Sequence, residues 1–172
     1  MSPVEKEILR RKLALIIENL TLRSFIVYWL APLVWMGFIF PTNRLLNTNS
    51  TSHIIVPILK WLLPHADPAT IDLLHVGIRK FVHFFNYAFL TFLLYRALRG
   101  RNDIRRPEWI LYAGLIAIGY AGLDEFVQNF IPSRTGSVYD WLIDSVGVIL
   151  VCGIVFVKNH KWIKGQGLRI KD

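Results

Sequence analysis

The sequence has little charge and almost no cysteine. Of its 172 residues, 19% are charged and 53% are hydrophobic, whereas soluble domains carry roughly 25% charged residues. The single cysteine, Cys152, excludes a disulfide-stapled scaffold and is most simply a packing residue. A net charge of +8 suits either nucleic acid or a membrane surface as partner. The placement of the charges has to decide between these two classes.

Charge is nearly absent from four long apolar runs, at residues 24–40, 82–98, 109–131 and 138–157. Each run is long enough for a membrane helix, which needs about 17–25 mainly apolar residues. We therefore predict an all-α, polytopic membrane protein with four transmembrane helices, forming one domain over residues 1–172. Only five of the 32 charged residues lie in these runs: Arg96, Asp124, Glu125, Asp140 and Asp144.

Lysine and arginine are concentrated in three segments that four spans would place on the same side of the membrane. The N-terminal segment, the connection after the second span with Arg96 at its edge, and the C-terminal tail hold 15 of the 20 positive residues. The positive-inside rule then predicts a multi-pass membrane protein with both termini in the cytoplasm. The positive charge needs no nucleic acid as partner, and we expect membrane lipids instead.

Two further helical segments are predicted outside the spans. Residues 2–20 combine a capping box with an apolar helical face and predict an amphipathic helix at the cytoplasmic surface. The apolar run 54–63 is too short to span and predicts an interfacial or re-entrant helix in an extracytoplasmic loop. Asp67-Pro68 then starts a helix that runs to about Arg99 and either projects from the membrane or bends near Gly77.

Apart from Arg96 at the cytoplasmic edge, the ionisable side chains that interrupt the spans fall near the predicted outer side of the membrane. Such groups are costly in lipid and usually face the bundle interior or a cavity. Helical spacing places several of them on shared faces, three or four residues apart. The set comes from the second, third and fourth spans and from one short loop: Arg79, Lys80, His83, Tyr87, Asp124, Glu125, Gln128, Arg134, Asp140 and Asp144.

Four patterns in this set resemble the VanZ-like family of bacterial membrane proteins. The resemblance covers the chain from the first span to the fourth, although Ser133 stands where the family pattern has glycine. It implies a small polytopic membrane protein, and some members are linked to teicoplanin resistance, but it implies no particular reaction. The patterns are Arg79-Lys80-x-x-His83-Phe84-x-x-Tyr87, Asp124-Glu125-x-x-Gln128, Pro132-x-Arg134-x-x-Ser137-x-x-Asp140 and Asp144-x-x-Gly147.

Three interpretations of the polar set remain open. In the first, cationic side chains hold the phosphate or carboxylate of a lipid-linked cell-wall precursor or a lipoglycopeptide. In the second, Glu125 or Asp124 is a general base and His83 its acid–base partner in an enzyme acting on such a lipid. In the third, the set is a structural ion-pair network in which Arg134 pairs with Asp124 or Asp140. The first predicts as ligand-binding residues Arg79, Lys80, Tyr87, Gln128, Arg134, Asp140 and Asp144.

No metal or cofactor is expected from the sequence. His83, Asp124, Glu125 and Asp140 are residue types that can ligate a metal. However, the chain has no His-x-x-x-His, Glu-x-x-His or paired-cysteine spacing, and the three cations predicted at the site disfavour a divalent ion. The tryptophans lie mostly near the predicted membrane interfaces, and we interpret them as interfacial anchors.

Overall fold

The computed structural model describes residues 23–39, 48–100, 106–130 and 137–169, and all regular structure within these ranges is helical. The predicted all-α fold is confirmed for this part of the chain. The predicted amphipathic helix at residues 2–20 lies outside the described residues. The described helices are α1 (Arg23–Ile39), α2 (Thr48–Leu62), α3 (Pro68–Arg99), α4 (Pro107–Gln128) and α5 (Val138–Arg169).

Helix α3 begins and ends where the sequence predicts. The carboxylate of Asp67 caps it by accepting a 3.2 Å hydrogen bond from the N–H of Thr70, and Pro68 occupies the first turn. The hydroxyl and the backbone N–H of Thr70 lower the pKa of Asp67. The helix ends at Gly100, whose positive φ of 56° favours glycine. At 1.5 Å per residue α3 is about 48 Å long and exceeds the apolar core of a bilayer, about 30 Å thick.

Within the described residues, three helices are long and apolar enough to cross a membrane, namely α3, α4 and the part Val138–Trp162 of α5. Helix α1 is also apolar, but its described part has 17 residues, and α2 has 15. Helix α2 covers nearly all of the predicted interfacial segment 54–63 and starts earlier, at Thr48. The count of four spans therefore stays a prediction.

The ends of the apolar runs and the ends of the helices do not coincide. Helix α4 ends at Gln128 and is followed by a turn, whereas the third apolar run extends to residue 131. Helix α5 continues to Arg169, well beyond the predicted end at residue 157. Lysine and arginine are good helix formers, and a helix can therefore continue after its apolar stretch has ended.

Burial in the bundle is inverted relative to a soluble protein. Large apolar side chains such as Phe25, Phe81, Leu123 and Ile149 are exposed, whereas several polar side chains are buried between helices. Lipid tails solvate apolar groups and polar groups turn towards the bundle, so this distribution is typical of membrane helices. The buried polar residues are His75, Asn86, Thr91, Asp124, Glu125, Gln128, Asp144 and Asn159.

A glycine lets α3 and α5 approach closely beside the predicted polar set. A Cβ atom on Gly147 would lie 2.6 Å from the carbonyl oxygen of Phe84, a distance that no side chain tolerates. Small residues allow such backbone contacts between helices in lipid. Because His83 precedes Phe84 and Asp144 lies one turn before Gly147, this contact also brings these two polar side chains together.

Three other side chains join neighbouring helices. The thiol of Cys152 lies 3.7 Å from a backbone carbonyl of α4, in keeping with its predicted packing role. Trp35 donates to the carbonyl of Asn86 and Trp141 to that of Ile118, each at 3.1 Å. The prediction of interfacial anchors did not anticipate these interhelical bonds.

Candidate functional site

Three helices bring most of the predicted site residues to one end of the bundle. Helix α3 contributes four of them, α4 three and α5 two, and hydrogen bonds, an ion pair and a shared cavity link the three groups. Arg134, the tenth, lies outside the described residues. The nine described members are Arg79, Lys80, His83, Tyr87, Asp124, Glu125, Gln128, Asp140 and Asp144.

A chain of buried hydrogen bonds connects α3 to α4. The hydroxyl of Tyr87 donates to Oδ2 of Asp124 at 3.1 Å, and Nε2 of Gln128 donates to the same oxygen at 3.1 Å. Nε2 of Gln128 also lies 3.3 Å from Oε1 of Glu125. Asp124 and Glu125 point to the same end of the bundle from adjacent positions, and Gln128, one turn later, fixes both carboxylates.

The start of α5 supplies a further donor to Glu125. The backbone N–H of Ser137, the residue before the helix, donates to Oε2 of Glu125 at 2.8 Å. The first N–H groups of a helix lack partners within the helix and bind anions readily. Ser137 was not among the predicted site residues, although it belongs to the third family pattern and directly precedes a predicted helix.

His83 and Asp144 face each other without forming a hydrogen bond. Nδ1 of His83 lies 3.8 Å from Oδ2 of Asp144, and the side chain of Asp144 is only 1% exposed. A hydrogen bond of this kind requires about 2.7–3.2 Å. Nδ1 of His83 and both carboxylate oxygens of Asp144 are buried without a hydrogen-bond partner in the described part of the chain. Such groups are unusual in native proteins and require an explanation.

Lys80 and Asp140 form an ion pair at the more exposed edge of the site. Nζ of Lys80 lies 2.6 Å from Oδ1 of Asp140, and both side chains are more than one third exposed. They line a cavity of about 50 Å³ together with Arg79 and His83. This cavity connects the cationic edge of the site to the imidazole of His83.

Glu125 also borders a wider pocket between α4 and α5. This pocket has a volume of about 330 Å³. Its polar wall includes Glu125, Asn129 and Ser137, and its apolar wall includes Phe126 and Trp141. The buried carboxylate therefore adjoins a space that is large enough for a small charged group beside an apolar chain.

The site also contains a set of three groups of the metal-ligating type, one from each helix. Ligand atoms of His83 (α3), Glu125 (α4) and Asp144 (α5) all lie within 4.8 Å of one another. Two of these residues, His83 and Glu125, belong to the possible ligands noted from the sequence, whereas Asp144 does not. The sequence disfavours a metal because ligands from three separate helices leave no recognisable spacing along the chain.

The structure shows contacts of Asp124 and Asp140 that the sequence did not predict, whereas their expected pairing with Arg134 lies outside the described residues. Asp140 binds Lys80, whereas Asp124 binds Tyr87 and Gln128. A second buried polar contact, between Tyr95 and Asn159 of α3 and α5, was not predicted. Each is a single polar residue in a long helix, and no sequence pattern indicates that Tyr95 and Asn159 are in contact.

Comparison with known proteins supplies a family for the chain. The family model described as VanZ/LLP1 matches residues 18–159, which is most of the sequence. Neither the curated proteins nor the solved structures contain a significant match.

Proposed function

This chain belongs to the VanZ/LLP1 family, and from that premise we propose that it binds the anionic headgroup of a lipid-linked envelope molecule. The ligand class is a lipid-linked cell-wall precursor or a lipoglycopeptide such as teicoplanin. The observation that carries the proposal is the convergence of polar side chains from α3, α4 and α5 at one end of an otherwise apolar bundle. Polar residues inside membrane helices usually mark such sites.

The cationic edge of the site supports headgroup binding. Lys80 and Arg79 border the cavity of about 50 Å³, and Lys80 is half-exposed, so its ammonium group is accessible to a phosphate. An exposed ion pair such as Lys80–Asp140 contributes little stability, and an anionic ligand could therefore displace Asp140 at small cost. Lysine and arginine are suited to phosphate and carboxylate groups.

Apolar surfaces beside the site support a ligand that carries a hydrocarbon chain. The pocket of about 330 Å³ at Glu125 has Phe126 and Trp141 in its wall. A second groove of about 400 Å³ lies further along α3 and α5 and includes Phe85, Phe89 and Val151. An acyl or polyprenyl chain would find apolar contacts in either place while its headgroup occupies the polar end.

The proposal is tested by teicoplanin tolerance in cells that produce the protein. Lys80→Gln and Glu125→Gln should reduce the tolerated concentration while the amount of protein in the membrane is unchanged. Lys60→Gln and Glu108→Gln are matched controls, because they make the same charge changes at exposed positions of α2 and α4. An equal fall in protein level and in tolerance would favour the purely structural ion-pair network.

The same proposal includes four membrane spans with both termini in the cytoplasm. The outward-facing apolar side chains of α1, such as Phe25 and Leu30, suit contact with lipid, and 17 residues is the lower limit for a span. In a Cys152→Ala background, cysteine placed at His65 or Ser133 should react with a membrane-impermeant reagent added outside intact cells. Cysteine at Lys164 should react only after the cells are opened. The reverse pattern would overturn both the orientation and the outer location of the site.

A second function, acid–base catalysis on a lipid-linked precursor, is supported by one specific arrangement. Glu125 is positioned by Ser137 and Gln128 and borders the pocket of about 330 Å³, and Nδ1 of His83 is buried without a hydrogen-bond partner among the described residues. A general base needs an accessible lone pair and a fixed orientation. Overproduction should then change the profile of lipid-linked precursors measured by mass spectrometry, and Glu125→Gln should abolish the change whereas Glu108→Gln should not.

A further inference from the structure

We propose that His83, Glu125 and Asp144 form a binding site for a divalent transition-metal ion such as Zn²⁺ or Mn²⁺. One imidazole and two carboxylates are a ligand set that suits such ions. The proposal goes beyond headgroup binding and does not depend on it, because the metal ion alone is the ligand.

The separations of the ligand atoms fit an ion better than they fit direct contact. Zn²⁺ binds nitrogen and oxygen at about 2.0–2.2 Å, so neighbouring ligand atoms of a tetrahedral site lie about 3.3 Å apart. Nδ1 of His83 and Oδ2 of Asp144 are 3.8 Å apart, and all three ligand atoms lie within 4.8 Å. The separation of His83 and Asp144 is too long for a hydrogen bond and is closer to the separation of neighbouring ligand atoms in a metal site.

Burial provides an independent argument. Asp144 is completely buried, and neither of its carboxylate oxygens has a hydrogen-bond partner in the described part of the chain. Its Oδ2 faces Nδ1 of His83, which is also without such a partner. Burying a polar group without compensation is costly. One ion between the two side chains would satisfy all of these atoms at once.

Glu125 is held by the kind of outer bonds that orient metal ligands. Its two carboxylate oxygens accept hydrogen bonds from the backbone of Ser137 and, at 3.3 Å, from Gln128. Gln128 is itself bonded to Asp124. Ligating carboxylates are typically fixed in this way by a second set of hydrogen bonds.

The charge balance and the access route are compatible with a cation. The predicted set contains four carboxylates and three cations, Arg79, Lys80 and Arg134, so the carboxylates are in excess. Lys80 already pairs with Asp140, whereas Glu125 and Asp144 are more deeply buried. The small cavity reaches His83 and the wider pocket reaches Glu125, so an ion has an approach from either side.

The proposal is tested on the full chain, purified in detergent and stripped with EDTA, by titration calorimetry with Zn²⁺ and, separately, Mn²⁺. The wild-type protein should bind one equivalent of at least one ion. Glu125→Gln and Asp144→Asn should each weaken that binding about tenfold or more, the scale expected at metal sites. Glu108→Gln, with the same charge change on an exposed turn of α4, should bind like wild type. No saturable binding, or equal binding by all four proteins, would overturn the proposal.

A second measurement uses only the wild-type protein, so it does not depend on whether a variant folds. Co²⁺ added to the stripped wild-type protein should give d–d absorption bands of a site with one nitrogen and several oxygen ligands, and Zn²⁺ should abolish them in competition. Bound ion should also raise the unfolding temperature of wild type, because a ligand that binds only the folded state stabilises it. Absorption identical to that of hydrated Co²⁺ would contradict the proposal.

Discussion

Two buried polar contacts join α3 to α5, and they differ in whether their hydrogen bonds are made. Tyr95 and Asn159 are hydrogen-bonded to each other. Nδ2 of Asn159 donates to the hydroxyl of Tyr95 at 2.9 Å, and that hydroxyl donates to Oδ1 of Asn159 at 3.2 Å. His83 and Asp144 lie 3.8 Å apart with unsatisfied atoms. The two contacts are about 18 Å apart along α3, in the same helix pair.

The difference separates a structural contact from a site. A satisfied pair in lipid holds two helices together and leaves nothing for a ligand to do. An unsatisfied pair costs folding energy unless something else completes it, and proteins retain such costs where function needs them. This contrast supports the proposal that the ligand-binding site lies at the end of the helix pair that carries His83 and not at the end that carries Tyr95.

The largest effect on stability should come from disrupting the close contact of α3 and α5 that brings His83 to Asp144. Gly147→Ala places a Cβ atom 2.6 Å from the carbonyl oxygen of Phe84, so α3 and α5 must move apart. We expect a loss of about 3 kcal/mol in the free energy of unfolding, the upper end for overpacking. Gly153→Ala is the matched control in the same helix, because its Cβ would meet nothing within 4 Å. Denaturant unfolding in mixed micelles measures both, and equal loss in the two variants would contradict the close contact.

The second-largest effect should be an increase in the free energy of unfolding. Asp144→Leu removes a buried carboxylate whose oxygens are unsatisfied, and in EDTA we expect the free energy of unfolding to rise by about 1–2 kcal/mol. A buried polar group without a hydrogen bond costs about 1–3 kcal/mol, and leucine at this position removes that cost. The same variant should lose any stabilisation that added Zn²⁺ gives to wild type. A clear destabilisation in EDTA would mean that Asp144 is satisfied, and the contrast with Asn159 would fail.

The sequence predicts this contrast only in part. Charge segregation and the spacing of Arg79, His83 and Tyr87 indicate the depth of the site and the face of α3 that forms it. They do not give the rotation of α4 and α5 about their axes, so the contacts of Asp124 with Tyr87 and of Asp140 with Lys80 were not predicted. The depth of a residue follows from its position along the chain, whereas its contacts depend on how the helices pack. A small residue such as Gly147 predicts a close contact between helices, but only the structure shows that Phe84 lies opposite it.

A smaller loss is expected at the satisfied contact. Tyr95→Phe removes the hydroxyl that bonds to Asn159, and hydrogen bonds between membrane helices contribute on average about 0.6 kcal/mol. We expect a loss of about 1 kcal/mol or less in the free energy of unfolding, with no change in Zn²⁺ affinity or in teicoplanin tolerance. Unfolding in mixed micelles and the Zn²⁺ titration check the two parts. A change in Zn²⁺ affinity would show that the two ends of the helix pair are coupled.

The smallest effect on stability should come from Lys80→Gln. The ammonium group of Lys80 is half-exposed in its ion pair with Asp140, and such pairs contribute roughly 0–1 kcal/mol. We expect a change below about 0.5 kcal/mol in the free energy of unfolding, and Zn²⁺ affinity should be nearly unaltered because Lys80 lies outside the three ligands. Teicoplanin tolerance should nevertheless fall, because the headgroup loses its cation. If stability and tolerance fell together, the cationic edge would belong with Tyr95 and Asn159 among the structural contacts, and only the buried ligand set would remain as the site.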